Sequence, residues 1–267
     1  MIASLPMYDW PEVRVATDGW WQVLARAFRE AGIKNIPRGL SRSDTDNDCW
    51  HRPDLLLSQT CGYPYTHGGA QTSRLVATPV YDADGCSGPD YCSFLLCHRE
   101  SPQKALDDFR GTRAVINDRQ SQSGYSALRA MVAPLARQRS FFRDVHVSGG
   151  HRQSMLWVGQ GKADLCAVDA VCYALARRYV PALTECLRIV ARSAAAPGLP
   201  LITSVTASDD LVRRLRDGLS HALSEPSASD LRAALLISGA DLLAEPDYQR
   251  ILEIEKEAVV QGYPELI

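Results

Sequence analysis

Residues 113–131, RAVINDRQSQSGYSALRAM, change character twice. RAVIN (113–117) is a short apolar run of strand-forming residues, DRQSQS (118–123) is polar throughout, and from Gly124 apolar residues recur at helical spacing. Leu128, Met131, Val132 and Leu135 form an i, i+3, i+4, i+7 stripe, so the spacing predicts a helix with one buried face. The same grammar occurs twice more. DVHV (144–147) is a strand, SGG a loop, and a helix begins near His151; DLCAV (164–168) is a strand, Asp169 a one-residue junction, and a helix begins at Ala170. Strand–helix alternation of this kind implies parallel strands joined by right-handed crossovers. All three strand-to-helix junctions then emerge at one edge of one sheet, where open α/β sheets bind their ligands.

The rest of the chain extends an α/β pattern. Ile2–Leu5 reads as a short strand, and Trp20, Val23, Leu24, Ala27 and Phe28 as a helix face that Gly32 closes. DLLLSQ (54–59), LVATPVY (75–81) and LRIVA (187–191) read as strands, with Pro79 hinting at an irregular or edge position. The Gly-, Asp- and Pro-dense loop 82–90 is a boundary candidate. Beyond Ser208 the chain reads as helices only, through LVRRLRDGL, SDLRAALLI and IEKEAVV.

Composition removes several function classes. The 267 residues are 46% hydrophobic and 22% charged, as in an ordinary globular protein. A net charge of −2 offers no attraction to nucleic acid or an anionic membrane, and no apolar run approaches the ~20 residues of a membrane span. The eight cysteines form no C-x-x-C pair and no zinc-ligand spacing, so they read as buried core fillers; neither a metal nor a cofactor is expected. Cys86 and Cys92 are near enough in sequence to pair under oxidising conditions.

The junctions carry chemistry. A helix start leaves its first N–H groups without intrahelical acceptors and carries about half a positive charge. Ser121, Gln122 and Ser123 add side-chain donors there, and Gly124 lets a ligand approach the backbone, which suits an oxyanion. The plainer alternative is that Ser123 caps a helix. In SGGH, Ser148 and His151 offer donors, or else a turn serine and a surface histidine. Asp169 is an ordinary N-cap, or a group that accepts from a protonated or amine-bearing ligand.

The order of these motifs resembles the phosphate- and phosphonate-binding substrate-binding proteins of ABC transporters. SQSGY through SGGHRQSMLWVGQGKADLCAVD carries the likeness, which extends to LLLSQTCGYPY, LVATPVY, YCSFLL with SPQKALDDFRG, and LRIVARS, covering roughly residues 1–205. The resemblance implies a type II periplasmic-binding-protein fold with two α/β lobes around a ligand cleft. One lobe would comprise 1–80 with 190–267 and the other 81–189, the strands near Leu75–Tyr81 and Leu187–Arg192 forming a hinge. It implies that Ser121, Gln122, Ser123, Gly124 and Tyr125 grip a small phosphorus or sulfur oxyanion. Tyr63, Tyr91 and Tyr8 would line the cleft, opposite loops bearing Ser148, His151 and Asp169. A monomer that delivers its ligand to an ABC transporter permease is the expected role. An enzyme or a cytoplasmic sensor on the same scaffold, for instance in cofactor-precursor biosynthesis, stays open, since fold does not settle function. MIASLPMYDWPEV shows no secretory signal pattern, so the chain as it stands is expected in the cytoplasm, or in the periplasm if an export signal has been removed.

Overall fold

The three strand–loop–helix units share one sheet. The computed structural model describes residues 1–42, 49–136 and 139–267. In chain order the strands of the two main sheets are β1 (Ile2–Ser4), β2 (Leu55–Gln59), β3 (Ser73–Tyr81), β4 (Ser93–His98), β5 (Arg113–Ile116), β6 (Asp144–Val147), β7 (Leu165–Asp169), β8 (Leu187–Arg192), β9 (Leu201–Ser204) and β10 (Ile237–Asp241). The main helices are α1 (Arg14–Glu30), α2 (Ala127–Ala136), α3 (His151–Gly159), α4 (Ala170–Tyr179), α5 (Asp209–Ser224), α6 (Ser229–Ala234) and α7 (Gln249–Val260).

The chain divides into two units. Unit 1 holds Met1–Asp82, Ser87–Pro89 and Pro197–Asp247; unit 2 holds Ala83–Cys86, Asp90–Ala196 and Tyr248–Ile267. In unit 1 the sheet order is β1-β2-β9-β3-β10, with β1 parallel to β2 and β9 and β10 antiparallel to their neighbours. Helix α1 begins at Arg14, ahead of its aromatic stripe, and buries Thr17, Trp20, Trp21, Leu24 and Phe28. Its packing partner is α5, where a Cβ at Gly218 would stand 2.6 Å from the Phe28 ring, so the close approach of the two helices depends on that glycine.

In unit 2 the order is β8-β4-β7-β5-β6. Strand β5 runs parallel to both β6 and β7, pairing Arg113 with Asp144 and Ala114 with Leu165. Strand β7 sits inside the sheet and is buried at every residue, whereas the edge strand β6 (DVHV) is mostly exposed. A near-continuous apolar run suits the first position and mixed polarity the second.

Two expectations are corrected and a third is narrowed. Residues 237–241 form β10, not helix: Leu236 turns the chain with φ 61°, and Ile237–Asp241 then pairs antiparallel with β3. Of the two positions offered for Pro79, the irregular one holds and the edge one does not: β10 covers β3 and sets Ala240 opposite Pro79, next to a register shift. Residues 248–267, expected in lobe one, belong to unit 2. There Ala258, Tyr263 and Leu266 join Phe109, Leu128, Val132, Phe141 and Leu165 in one buried cluster. The backbone ties the segment down as well, Phe141 and Phe142 N–H donating to the Ile267 carbonyl at 2.9 and 3.2 Å. Each large apolar side chain so buried contributes about 1.5–3 kcal/mol, which outweighs the sequence adjacency that favours the other lobe.

Candidate functional site

At the first junction the chain leaves β5 and reaches Ser121, an extended residue whose side chain caps the next helix. Ser121 Oγ accepts from Gly124 N–H at 3.0 Å, and the Ser121 carbonyl accepts from both Tyr125 N–H (3.2 Å) and Ser126 N–H (3.0 Å). The bond from Ser126 spans five residues, so the helix opens with a wide π turn, Gln122–Ser126, that runs directly into α2. The N–H groups of Gln122 and Ser123 precede any acceptor the helix can give them. Ser121, not Ser123, is therefore the cap. Ser123 Oγ instead lies 2.8 Å from His151 Nε2 and 3.4 Å from Ser121 Oγ.

His151 is the first residue of α3, and Asp169 ends β7 and caps α4 by accepting from Cys172 N–H at 2.7 Å. His151 Nε2 also faces Asp169 Oδ2, at 3.5 Å. Burial pushes the imidazole below its ordinary pKa, while the Asp169 charge and the Ala167 carbonyl act the other way. Burial, aided by the Asp169 charge, raises Cys172 well above the usual thiol range, and burial with the same charge pushes Cys86 up to about 12.

Gly124 is required by close approach. A Cβ there would stand 1.7 Å from Asn117 Oδ1 and 3.3 Å from His151 Cε1, so the glycine lets an amide and an imidazole close over bare backbone. Asn117, the residue after β5, is an addition to the residues that sequence reasoning names, although its place at the sheet edge is a usable signal. Its carbonyl also accepts from Gly149 N–H at 3.0 Å and so ties the first junction to the second. Among the described residues Asn117 Oδ1, Gln122 Oε1 and Ser126 Oγ are buried with no hydrogen-bond partner. Such groups cost about 1–3 kcal/mol each, and a side-chain amide can present either its oxygen or its NH2 by a half-turn.

The structure gives the other sequence-named residues these surroundings. Ser148 Oγ stands 2.7 Å from Ser154 Oγ and within reach of the Ile116 and Gly150 carbonyls at 3.2 and 3.0 Å, so it shapes the SGG loop. Tyr125 packs in the unit 2 core and its hydroxyl accepts from Leu266 N–H at 3.4 Å. Tyr91 is buried in the short strand Asp90–Tyr91 of unit 2. Tyr8 and Tyr63 belong to unit 1, where Tyr8 meets the Tyr81 ring edge-on at 5.2 Å and Tyr63 stacks on His67 at 3.9 Å. What unit 2 assembles is Ser121, Ser123, Gly124, His151 and Asp169, with Gln122 buried beside them and Asn117 added.

Among curated proteins no sequence match is found. Solved structures share the fold. The binding protein component of an ABC phosphonate transporter from Pseudomonas aeruginosa superposes with a TM-score of 0.77 at 15% identity, over 97% of this chain and 87% of that one. PhnD1 from Prochlorococcus marinus, solved in complex with methylphosphonate, gives 0.72 at 14% identity, over 96% and 97%. A Xanthomonas citri protein solved bound to ATP gives 0.70 at 17% identity, over 97% of each chain. These likenesses establish a two-lobed α/β fold of the periplasmic-binding-protein type. Residues 54–248 match the family model for the periplasmic phosphonate substrate-binding protein of ABC transporters, a span that takes in all three junctions and most of the chain; the protein is a member of that family.

Proposed function

We propose that this protein is the solute-binding component of an ABC transporter for a small phosphorus oxyanion, which it captures without altering it. The observation that carries this reading is the π turn at Gln122–Ser126. It gathers the Ser121 and Ser123 hydroxyls, two backbone N–H groups with no helical acceptor and buried side-chain amides, in a place where a bound anion would satisfy them. The family's description and the methylphosphonate held by the Prochlorococcus relative agree with that chemistry.

Binding without reaction is supported by the imidazole. A serine–histidine–aspartate relay needs the hydroxyl on one ring nitrogen and the carboxylate on the other. Here Ser123 and Asp169 both face Nε2. The family description also favours work in the periplasm beside a membrane permease, and among the described residues no helix is long and apolar enough to cross a membrane.

The test is a thermal-shift screen with inorganic phosphate, methylphosphonate and 2-aminoethylphosphonate, followed by calorimetry. A true ligand at a hundred times its dissociation constant adds about 2.7 kcal/mol of stability. No stabilisation by any phosphorus oxyanion, or a new phosphorus resonance after incubation with one, would overturn the proposal.

A further inference from the structure

A helix start carries about half a positive charge, which is modest against an oxyanion, and the site as assembled holds no cation. Ser121, Ser123, Asn117 and Gln122 are neutral, burial pushes the His151 imidazole below its ordinary pKa, and Asp169 brings a negative charge. Arg119 and Arg152, beside the first and second junctions, are not buried, so water and salt screen them. Among the described residues one cationic side chain is buried, and it stands on the helix that the π turn opens: Arg129 of α2, 3% exposed. Resting on the oxyanion-binding reading above, we infer that Arg129 is the counter-charge of the bound oxyanion, attracting it through the π turn and without contact.

Folding is poorly served by this arginine. Nη1 donates to the Pro264 carbonyl. Nη2 lies 3.2 Å from Glu255 Oε1, an ion-pair distance, yet out of line for a hydrogen bond, and Nε has no acceptor. Burying a guanidinium with two nitrogens so poorly matched is costly, and apolar side chains in place of such a pair are often no less stable. Glu255 is 23% exposed, so water weakens its field more than that of Arg129, and the two charges do not cancel. The guanidinium carbon is 5.4 Å from the centre of the Tyr125 ring, so the charge rests against a residue of the π turn itself. The Tyr125 hydroxyl accepts from Leu266 N–H at 3.4 Å, so the segment that holds the guanidinium also holds the turn. Six residues of helix separate Ser123 from Arg129, about 9 Å at 1.5 Å each. Over that distance a poorly screened unit charge strengthens the binding of an anion by roughly tenfold or more.

The experiment is calorimetric titration of the whole protein with methylphosphonate and with inorganic phosphate, alongside urea unfolding. Arg129→Met should weaken binding by about tenfold or more, and Arg129→Lys, which keeps the charge, should recover most of that loss. Glu255→Gln supplies the readout that a merely structural role would not move. It removes the negative partner and leaves a buried cation less compensated, so it should lower stability while tightening binding by roughly threefold or more. A side chain that only braces the C-terminal segment predicts binding unchanged or weaker in that variant. Wild-type affinity in Arg129→Met, an Arg129→Lys protein as weak as Arg129→Met, or a Glu255→Gln protein that binds no more tightly than wild type would each overturn the inference. Should Arg129→Met fail to fold, Glu255→Gln decides alone. Any of these results with a ligand bound by wild type would overturn this inference and leave the oxyanion reading standing; a wild type that binds neither ligand would sink both.

Discussion

Ser123 and His151 are joined side chain to side chain, Oγ to Nε2 at 2.8 Å, across two different strand-to-helix junctions of one sheet. Ser123 can do this because Ser121 takes over the capping of the helix. The division of labour orients the Ser123 hydroxyl before any ligand arrives, and prior orientation lowers the entropic cost of binding. It also makes the two serines separable by experiment.

Ser121→Ala should lower the stability of the free protein by about 1 kcal/mol, the usual cost of a lost N-cap. Ser123→Ala removes no cap. It should instead weaken methylphosphonate binding by roughly tenfold to a hundredfold, since a hydrogen bond to a charged group is worth ~1.5–3 kcal/mol. Urea unfolding and calorimetry on each variant read the two effects. A Ser123→Ala protein that binds like wild type would remove that hydroxyl from the site.

Gly124→Ala should also act on binding. The new methyl must displace the Asn117 amide and crowd the His151 ring. Asn117 can swing its flexible end aside, so folding should survive while methylphosphonate affinity drops by about tenfold or more, the 1.4 kcal/mol scale of one lost contact. Unchanged affinity would mean that Asn117 and the imidazole do not touch the ligand.

His151 predicts a pH dependence of stability. Its folded-state pKa is depressed by burial, so the unfolded chain binds the proton more readily. Its stabilising contribution is complete above the ordinary histidine pKa of about 6.5 and is lost as the pH falls from there down to the depressed folded-state pKa. Urea midpoints measured downward from neutrality should show this fall, and His151→Gln should lack that part of it. Identical pH profiles for the two proteins would contradict the assignment.

Tyr263 anchors the C-terminal segment in unit 2. Its hydroxyl accepts from Ile267 N–H at 3.1 Å and from Phe141 N–H at 3.3 Å, and its ring is 2% exposed. Tyr263→Ala should cost about 3–5 kcal/mol, as other large aromatic deletions from a core do. Tyr263→Phe should cost only ~0.5–1.5 kcal/mol for the lost hydrogen bonding. Denaturant titration of the three proteins checks the order.

Local pattern makes unit 2's parallel strands legible, because each pairs a short apolar run with a helix of clear period. The junction residues Ser121, Ser123, Gly124, His151 and Asp169 are legible for the same reason: parallel strands must deliver them to one edge. What stays hidden depends on long-range partners. Nothing local distinguishes Ile237–Asp241 from the end of a helix; only β3 alongside makes it a strand. Nor does the sequence near Tyr263 reveal the Phe141 and Phe142 backbone that receives it. The exchange of roles between Ser121 and Ser123 is hidden too, because it depends on a π turn, and two serines two residues apart do not announce which will cap.

The path of the chain has a kinetic consequence. Unit 1 needs residues from both ends of its sequence, up to Asp247, and unit 2 needs Tyr248–Ile267 to fill a core whose other buried members lie far earlier, from Leu95 to Ala167. Neither can close on the ribosome from one continuous stretch, and both rely on contacts of large sequence separation, which slow folding. A nascent chain halted after β8 should therefore expose Phe109, Phe141 and Leu165 where the finished protein hides them, and present that surface to chaperones until the last helix is made.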